Sequence, residues 1–254
     1  MASLLGHEDW VKCLAFYPPR AERDPLILAS GSQDATIRLW NIEPLKFDFA
    51  AGGGDALLDT FEASLGDMGD GEEGGKQISL KRHIISVKDS AFPSDTIQKY
   101  SIIFDALLVG HESGVTSLSW KPDGIAASSP VLMSTSTDSS LILWSPFDSL
   151  WMNRNRFGDI GGQRLGGFVG GLWNTNGEEI LAWGWNGGWR RWRHDANVQG
   201  GTVQAWTEEN AVTGHNNVVR DICWSPQGDF LASTRFVSTT TRWPRTGNLM
   251  QSTV

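Results

Sequence analysis

Residues 134–144 read Ser134-Thr135-Ser136-Thr137-Asp138-Ser139-Ser140-Leu141-Ile142-Leu143-Trp144. A hydroxyl-rich segment leads through an aspartate into an apolar run that ends on a tryptophan, which is typical of two short β-strands joined by a turn. Gly110-His111 stands before this stretch, and three related stretches occur elsewhere in the chain. Self-similarity of this kind predicts a repeat architecture, so function is expected on the surfaces of the repeats.

The repeating unit begins with Gly-His, has an aromatic residue nine positions after the His, and closes on an Asp and a Trp six positions apart. The aromatic residue and the closing Trp are 24 residues apart in the first two copies and 19 apart in the last two. The third copy is degenerate. The four copies are His7, Phe16, Asp34 and Trp40; His111, Trp120, Asp138 and Trp144; Trp173, Asn186 and Trp192; and His215, Trp224 and Trp243.

Each unit alternates short strand patterns with turn signals and shows almost no helix pattern. The first strands are expected to begin at Val11, Val115 and Val219, and they end in turns such as Lys121-Pro122-Asp123-Gly124. Thr36 to Trp40 and Ser140 to Trp144 are the most regular of the third strands. The predicted fold class is therefore all-β.

These motifs resemble the WD-repeat β-propellers, whose blades are four-stranded sheets. The resemblance implies about four blades of a WD40-type propeller, as part of a larger, seven-bladed one. It also implies a buried set of His, Ser, Asp and Trp in each blade, and these side chains can satisfy one another's hydrogen bonds. The matching residues are His7, Ser30, Asp34 and Trp40; His111, Ser134, Asp138 and Trp144; and His215, Ser233 and Trp243.

Two copies depart from this pattern. In the third, Arg164, Ala182 and Asn186 occupy the His, Ser and Asp positions, so the set cannot form there. In the fourth, Val237 stands where the Asp is expected, which leaves His215 without its acid.

The predicted organisation is one WD-repeat region over residues 1–254. Four blades are few for a propeller, and uncovered blade faces are prone to aggregate, so we expect a longer chain with further repeats to exist. The predicted blades are 6–108, which includes a flexible insertion at 46–98, then 109–160, 161–212 and 213–243, followed by an irregular tail at 244–254.

The net charge of −8 comes from one segment. Residues 48–75 hold eight acidic residues, eight glycines and no Lys or Arg, so the rest of the chain has 21 acidic (29 minus 8) and 21 basic residues. Such a composition favours a flexible insertion over a packed element. The repeats themselves are therefore neutral overall.

Further strings, among them Leu28-Ala29-Ser30-Gly31-Ser32-Gln33-Asp34 and Ser134-Thr135-Ser136-Thr137-Asp138, are similar to the WD-repeat subunits of the Elongator complex. This closer resemblance implies a non-catalytic scaffold that supports modification of the wobble uridine of tRNA. The implied partners are the largest scaffold subunit and the catalytic acetyltransferase-like subunit, with a weak contact to tRNA. The alternative is a WD-repeat adaptor in ubiquitin ligation, signalling or chromatin. The strings include Gly6-His7-Glu8-Asp9-Trp10-Val11, Leu108-Val109-Gly110-His111-Glu112, Arg156-Phe157-Gly158-Asp159-Ile160-Gly161-Gly162 and Thr239-Thr240-Thr241-Arg242.

Patterns for catalysis are weak. Residues 70–77 resemble a phosphate-binding loop but lack its first Gly and have Gln77 where a magnesium-binding Ser or Thr is needed. His7-Glu8 and His111-Glu112 do not continue to the second His of a zinc site. We therefore predict no catalytic residues, no metal, no cofactor and no small-molecule substrate.

The compartment follows from cysteine usage and hydropathy. Cys13 and Cys223 lie in different repeats and indicate no disulfide framework. No apolar run has the length of a membrane span, and residues 1–5 are too few for a signal peptide. We expect a protein of the cytoplasm and nucleus without a membrane contact.

Binding surfaces are expected in the loops after each His. Trp10 is the strongest candidate because an aromatic side chain in a polar loop is typical of an interface anchor, and Glu112 and Asn216 occupy related loops. Solvent exposure without a partner is the alternative for these residues. Arg190, Arg191 and Arg193 could contact RNA beside their neighbouring tryptophans, or lie at a blade edge with Trp192 facing inward.

Overall fold

A computed structural model describes residues 3–21, 24–45, 82–88, 97–122, 129–158, 166–194, 206–209, 217–235 and 240–244. Within these ranges the chain forms sixteen β-strands and no helix, which confirms the predicted all-β class. The strands build four sheets, each from a continuous part of the sequence.

The first sheet has five strands in the order β1-β2-β3-β5-β4, and the others add their strands in chain order. The first comprises β1 (Val11–Tyr17), β2 (Leu26–Ser32), β3 (Thr36–Pro44), β4 (His83–Lys88) and β5 (Ile97–Val109). The second comprises β6 (Val115–Trp120), β7 (Leu132–Ser136), β8 (Leu141–Phe147) and β9 (Leu150–Phe157). The third comprises β10 (Phe168–Trp173), β11 (Glu179–Gly184), β12 (Trp189–His194) and β13 (Trp206–Glu209). The fourth comprises β14 (Val219–Trp224), β15 (Phe230–Arg235) and β16 (Thr240–Pro244).

The chain divides into two compact units. One comprises Met1–Gly6, Pro18–Ile27 and Trp40–Asp105, and the other comprises His7–Tyr17, Leu28–Leu39 and Ala106–Val254. In the first unit β4 pairs with β5 in antiparallel register, from His83 opposite Ile102 to Lys88 opposite Ile97. Trp40 packs edge-on against Phe104 there, with ring centroids 5.5 Å apart.

In the second compact unit, β7 and β11, which are the second strands of their sheets, are buried on both faces. All described residues of β7 and β11 are buried, so the alternation of apolar and polar residues that marks a half-exposed strand is absent. The first strands of neighbouring sheets contact one another in the order β1, β6, β10, β14. One apolar cluster joins the second and third sheets through Met133, Phe168 and Trp173, and another joins the third and fourth through Trp183 and Val219.

The same local geometry recurs from sheet to sheet. The first strands β6, β10 and β14 each shift register near their start, at Val115/Ser117, Phe168/Gly170 and Val219/Asp221. Ala35 and Ser139, which follow the repeat aspartates, both have positive φ, at 65° and 67°. A small residue in this left-handed conformation lets the turn present the aspartate side chain to the backbone that precedes it.

Two strands go beyond the sequence analysis. Most of the predicted flexible insertion at 46–98 lies outside the described residues, and its described part contains strand β4 and the first residues of β5, which begins at Ile97. The fourth strand of the second sheet, β9, was not predicted, because its outward face is polar and exposed and lacks a strong alternating pattern. A two-residue hairpin turn, Asp148 and Ser149, connects β8 to β9. Both residues have positive φ, a conformation that short polar residues tolerate.

Candidate functional site

The second sheet contains a hydrogen-bonded set built from two loops and two strands. His111 Nε2 lies 2.7 Å from Ser134 Oγ, and its Nδ1 lies 3.3 Å from Asp138 Oδ2 and 2.9 Å from Ser140 Oγ. Trp144 donates its indole N–H to Ser134 Oγ over 2.9 Å. His111, Ser134 and Trp144 are all buried. The strands β7 and β8 therefore hold the loop before β6 in place through side chains.

The proton positions follow from the donors and acceptors. Ser134 Oγ accepts the indole N–H, so its own proton goes to His111 Nε2 at 2.7 Å, in preference to the Ile142 carbonyl at 3.5 Å. His111 then carries its proton on Nδ1, which points to Asp138 and Ser140. Ser140 donates its hydroxyl to Asp138 Oδ1 over 2.6 Å. Each polar hydrogen of the set has one acceptor.

Asp138 is the centre of this set because it also accepts from the backbone. The amides of Glu112 and Ser140 each donate to its carboxylate over 2.8 Å. Arg156 of β9 places Nη2 3.7 Å from Asp138 Oδ2 and donates from Nη1 to the Gly110 carbonyl over 2.9 Å. The outermost strand of the sheet is thereby connected to the same loop.

The first repeat has the same arrangement. His7 lies 2.9 Å from both Asp34 Oδ2 and Ser30 Oγ, and the Glu8 amide donates to Asp34 over 2.9 Å. Thr36 takes the place of Ser140 and donates its hydroxyl to Asp34 Oδ1 over 2.6 Å. Trp40 is buried, like Trp144.

Both aspartates are held ionised by their donors. Burial would raise the pKa of Asp34, but hydrogen bonds from the Thr36 hydroxyl, the Glu8 amide and the His7 ring hold that pKa well below its usual range. Burial also opposes ionisation of Asp138, where hydrogen bonds from the His111 ring, the Ser140 hydroxyl and the Glu112 amide hold the pKa well below its usual range.

These shifts predict how stability depends on pH. A carboxyl whose pKa is lower in the folded state stabilises the fold above its unfolded pKa of about 3.9, and this contribution is lost as the pH falls toward the folded value. We expect the free energy of unfolding, measured by urea titration, to fall steeply below about pH 4. Asp34→Asn and Asp138→Asn should each flatten that decline, whereas Asn at the exposed Asp148 should not. An unchanged pH profile in both network variants would contradict the assignment.

The third sheet has other residues at these positions, and those of the fourth sheet lie partly outside the described ranges. Ala182 is buried at the Ser position of the third sheet, and Asn186 is exposed at the Asp position. Ser233 is buried in β15, and Trp243 lies in β16. His215 and Asn216, like Arg164 and Val237, lie outside the described residues.

Tryptophans at the end of first strands connect neighbouring sheets. Trp120 donates its indole N–H to the Ala15 carbonyl of β1, and Trp173 donates to the Ser119 carbonyl of β6, both over 3.2 Å. The Gly171 amide also donates to Ser117 Oγ over 3.0 Å. This repeated contact between neighbouring sheets was not predicted from the sequence.

Trp10 and Glu112, the two described candidates for loop contacts, are both exposed. Trp10 has 76 % of its surface accessible, and the Lys12 ammonium lies 5.4 Å from its ring centroid. The equivalent position of the second repeat is Gly114, which is buried next to Gln33. Trp10 is thus an exposed aromatic residue of the first repeat at a position where the second repeat has glycine.

The three candidate arginines are engaged in ion pairs within the third sheet. Arg190 lies 3.0 Å from Glu208, and Arg193 lies 3.0 Å from Glu179, whose side chain is buried. Trp192 faces inward and is buried. Arg191 lies 3.1 Å from Glu209 and 3.7 Å from Glu179, and Arg193 lies 3.4 Å from Glu209. Their charge is therefore largely matched by neighbouring carboxylates, which favours the blade-edge interpretation over an RNA contact.

Among the described residues, no group of three or more His, Cys, Asp or Glu is placed to hold a metal ion. The same part of the chain has no helix long and apolar enough to cross a membrane.

Comparison with known families identifies the class. The family described as WD domain, G-beta repeat, matches residues 1–41, 104–145 and 206–238. The unmatched third repeat is the one in which Ala182 and Asn186 replace the network residues. The chain thus contains segments that match this repeat and has an all-β fold of the WD40 propeller type.

Several curated relatives carry the name Elongator complex protein 2. The protein of Schizosaccharomyces pombe is 32 % identical over 254 residues, covering 96 % of this chain and 28 % of the relative. That of Saccharomyces cerevisiae is 32 % identical, covering 94 % and 27 %, and that of Homo sapiens is 29 % identical, covering 90 % and 24 %. The chain thus resembles Elongator complex protein 2 over nearly all of its residues and spans about a quarter of the length of these relatives.

Proposed function

We propose that this chain is a non-catalytic WD-repeat scaffold subunit of an Elongator complex. The observation that carries the proposal is the similarity to Elongator complex protein 2, which extends over 90 to 97 % of the chain and includes the degenerate third repeat. A generic WD repeat would align over the Gly-His and Asp-to-Trp frame alone. Similarity through a repeat that has lost this frame favours common descent with these particular relatives.

The described residues support a scaffold role over a catalytic one. The Ser, His and Asp of each network use their hydrogen-bonding groups on one another, and Ser134 Oγ accepts from Trp144 and donates to His111 while fully buried. A nucleophilic serine needs an accessible oxygen next to a free base. In this proposal the chemistry belongs to the partner subunits, and the repeats present surfaces that hold them.

The proposed partners are the largest scaffold subunit and the catalytic acetyltransferase-like subunit, in support of wobble-uridine modification of tRNA in the cytoplasm and nucleus. Protein contacts are proposed as the main interaction, because Arg190, Arg191 and Arg193 are matched by Glu179, Glu208 and Glu209. Trp10 is the proposed anchor on the protein surface, because large exposed aromatics contribute strongly to protein interfaces.

The test is affinity purification of the endogenously tagged protein, with mass spectrometry of the proteins that accompany it. We expect the other Elongator subunits to be recovered, and we expect cells that lack the protein to lose modification of wobble uridine in their tRNA. Recovery of ubiquitin-ligase, signalling or chromatin proteins in place of Elongator subunits would overturn the proposal.

The role of Trp10 is tested in the same purification. Trp10→Ala should reduce the recovery of partners at least tenfold, as expected for an interface anchor that contributes about 1.4 kcal/mol or more. Leu150→Ala is the matched control, because Leu150 is also exposed but is the first residue of β9. Equal recovery with both variants would remove Trp10 from the proposed interface and leave the subunit assignment in place.

A further inference from the structure

The third sheet turns a charged side chain toward the fourth sheet. Glu179 begins β11 and lies on the same face of that strand as Leu181 and Trp183, which pack against the fourth sheet. Only 4 % of its surface is exposed, and its Oε1 accepts from Arg193 over 3.0 Å. Arg191 Nε, at 3.7 Å from the other carboxylate oxygen, is too far away for a hydrogen bond. That oxygen, Oε2, is buried and has no hydrogen-bond partner among the described residues.

Asn174 lies directly opposite Glu179. It follows the last residue of β10, and its backbone amide donates to the Glu179 carbonyl over 2.9 Å. Opposed residues of an antiparallel pair point to the same face, with Cβ atoms about 5 Å apart, so Asn174 also faces the fourth sheet. Its Oδ1 accepts from the amide of Thr175 over 2.6 Å, which identifies the remaining atom of the amide as the donor Nδ2. Nδ2 is buried and is likewise without a partner in the part of the chain that the structure describes.

The fourth sheet adds a third buried polar group to the same interface. Trp224 ends β14 and packs against the apolar cluster that joins the third and fourth sheets. The equivalent Trp120 and Trp173 donate their indole N–H groups to carbonyls of the preceding first strand, but Trp224 Nε1 is buried without bonding to any described residue. The turn after Trp224 reaches Asn174, since a Cβ at Gly228 would lie 3.3 Å from Asn174 Oδ1.

The interface between the second and third sheets has different residues at these positions. Val131 takes the position of Glu179 and packs against the apolar cluster there. Lys121 takes the position of Asn174 and extends over Trp173, with Nζ 5.9 Å from the ring centroid. The buried carboxylate and the two buried donors therefore distinguish the third–fourth interface from the second–third one.

We propose that the interface between the third and fourth sheets binds a buried water molecule through Glu179, Asn174 and Trp224. The water accepts hydrogen bonds from Asn174 Nδ2 and Trp224 Nε1 and donates one to Glu179 Oε2. Buried waters typically make about three hydrogen bonds to polar groups that otherwise lack partners. A cation could not accept from the two donors, and an anion would be repelled by the carboxylate, so the site takes a small neutral molecule that both donates and accepts.

This water connects two sheets where the direct bond of the other interfaces is not made. It joins Trp224 of β14 to the residues that flank the β10–β11 turn, in place of an indole–carbonyl hydrogen bond. Without it, each of the three groups would carry the desolvation penalty of an unmade hydrogen bond. Glu179 begins β11, whereas Ala182 and Asn186, which replace the network residues, lie toward and beyond the other end of that strand. The third sheet thus has its polar link at the opposite end from the first two sheets.

A crystal structure of the protein at a resolution that shows ordered water tests the proposal directly. We expect an isolated density peak at hydrogen-bonding distance, about 2.7 to 3.2 Å, from Glu179 Oε2, Asn174 Nδ2 and Trp224 Nε1. The indole of Trp173, which donates to the Ser119 carbonyl, is the internal control and should have no such peak. A structure without the peak, or one in which Glu179 Oε2 accepts directly from Asn174 or Trp224, would overturn the proposal.

A double-mutant cycle in the unfolding equilibrium provides an independent measurement. Glu179→Gln keeps the shape of the side chain, but its NH2 group replaces Oε2 when its oxygen stays with Arg193, so the water loses its acceptor. Trp224→Phe removes a donor to the same water. We therefore expect the combined effect on the unfolding equilibrium constant to differ by about fivefold or more from the product of the two single effects.

Trp120→Phe is the matched control for this cycle. Trp120 donates to the Ala15 carbonyl at the interface between the first and second sheets, so its substitution should combine with Glu179→Gln without coupling. Coupling confined to the pair of Glu179 and Trp224 would support the shared water. Absence of coupling in that pair, or equal coupling in both pairs, would overturn it.

Discussion

Replacing Asp138 by Ala should lower the free energy of unfolding by about 3 to 4 kcal/mol. The carboxylate accepts from the Glu112 amide, the Ser140 amide and hydroxyl, and the ring of His111. Ala would leave these donors without their acceptor in a region closed to water, and an unmade buried hydrogen bond costs more than a made one contributes. The loss should therefore exceed that of a single hydrogen bond.

Urea unfolding followed by tryptophan fluorescence measures this effect. Asn186→Ala is the internal control, because Asn186 holds the same position in the third sheet but is exposed, and there Ala182 takes the place of the network serine. Its cost should stay below about 1 kcal/mol. If the two substitutions lower the free energy of unfolding equally, the hydrogen bonds around Asp138 add no stability beyond that of the turn in which it lies.

The repeat frame made much of the second unit predictable. The Asp-to-Trp spacing marks the turn and third strand of each unit, and the structure has β3 begin at Thr36 and β8 at Leu141, close to where the pattern placed them. Likewise β1, β6 and β14 begin at the predicted valines. Repetition supports these predictions because the same residue types must satisfy the same geometry in each copy.

The outer strands could not be predicted in the same way. β9 and β13 lie at sheet edges, where one face is solvated and no buried column restricts the sequence. β4 was hidden for a different reason, since it follows the acidic and glycine-rich segment whose composition favours an insertion. Its pairing with β5 is a contact between segments that no local pattern relates.

The ion pairs of the third sheet illustrate what single-sequence reasoning misses. Arg191 and Arg193 alternate with Trp192 and suggested an RNA surface, but Glu208 and Glu209 are 15 or more residues away in sequence. Antiparallel pairing of β12 with β13 brings Arg191 opposite Glu209. Cross-strand partners of this kind depend on register, which the sequence alone did not establish.

Replacing Gly167 by Ala should destabilise the chain by about 2 to 4 kcal/mol, the second of the large effects that we expect. Gly167 precedes β10 with φ of +89°, a conformation that residues with a Cβ rarely adopt. A Cβ at this position would lie 2.5 Å from the Thr137 carbonyl oxygen and 2.9 Å from its Cα. These are backbone atoms of the turn between β7 and β8, so no rotation of a side chain can relieve the contact.

Gly166 provides the matched control one residue earlier. Its φ of +64° is also positive, but the nearest atom to an added Cβ is 3.5 Å away, in ordinary van der Waals contact. Gly166→Ala should therefore cost only the conformational term of about 1 kcal/mol, and the difference between the two variants isolates the clash with Thr137. Thermal and urea unfolding of both variants provides the measurement. Equal losses of stability would mean that the second and third sheets can move apart at Gly167 without cost. That would contradict an interface in which Gly171 and Trp173 also donate hydrogen bonds from the third sheet to the second.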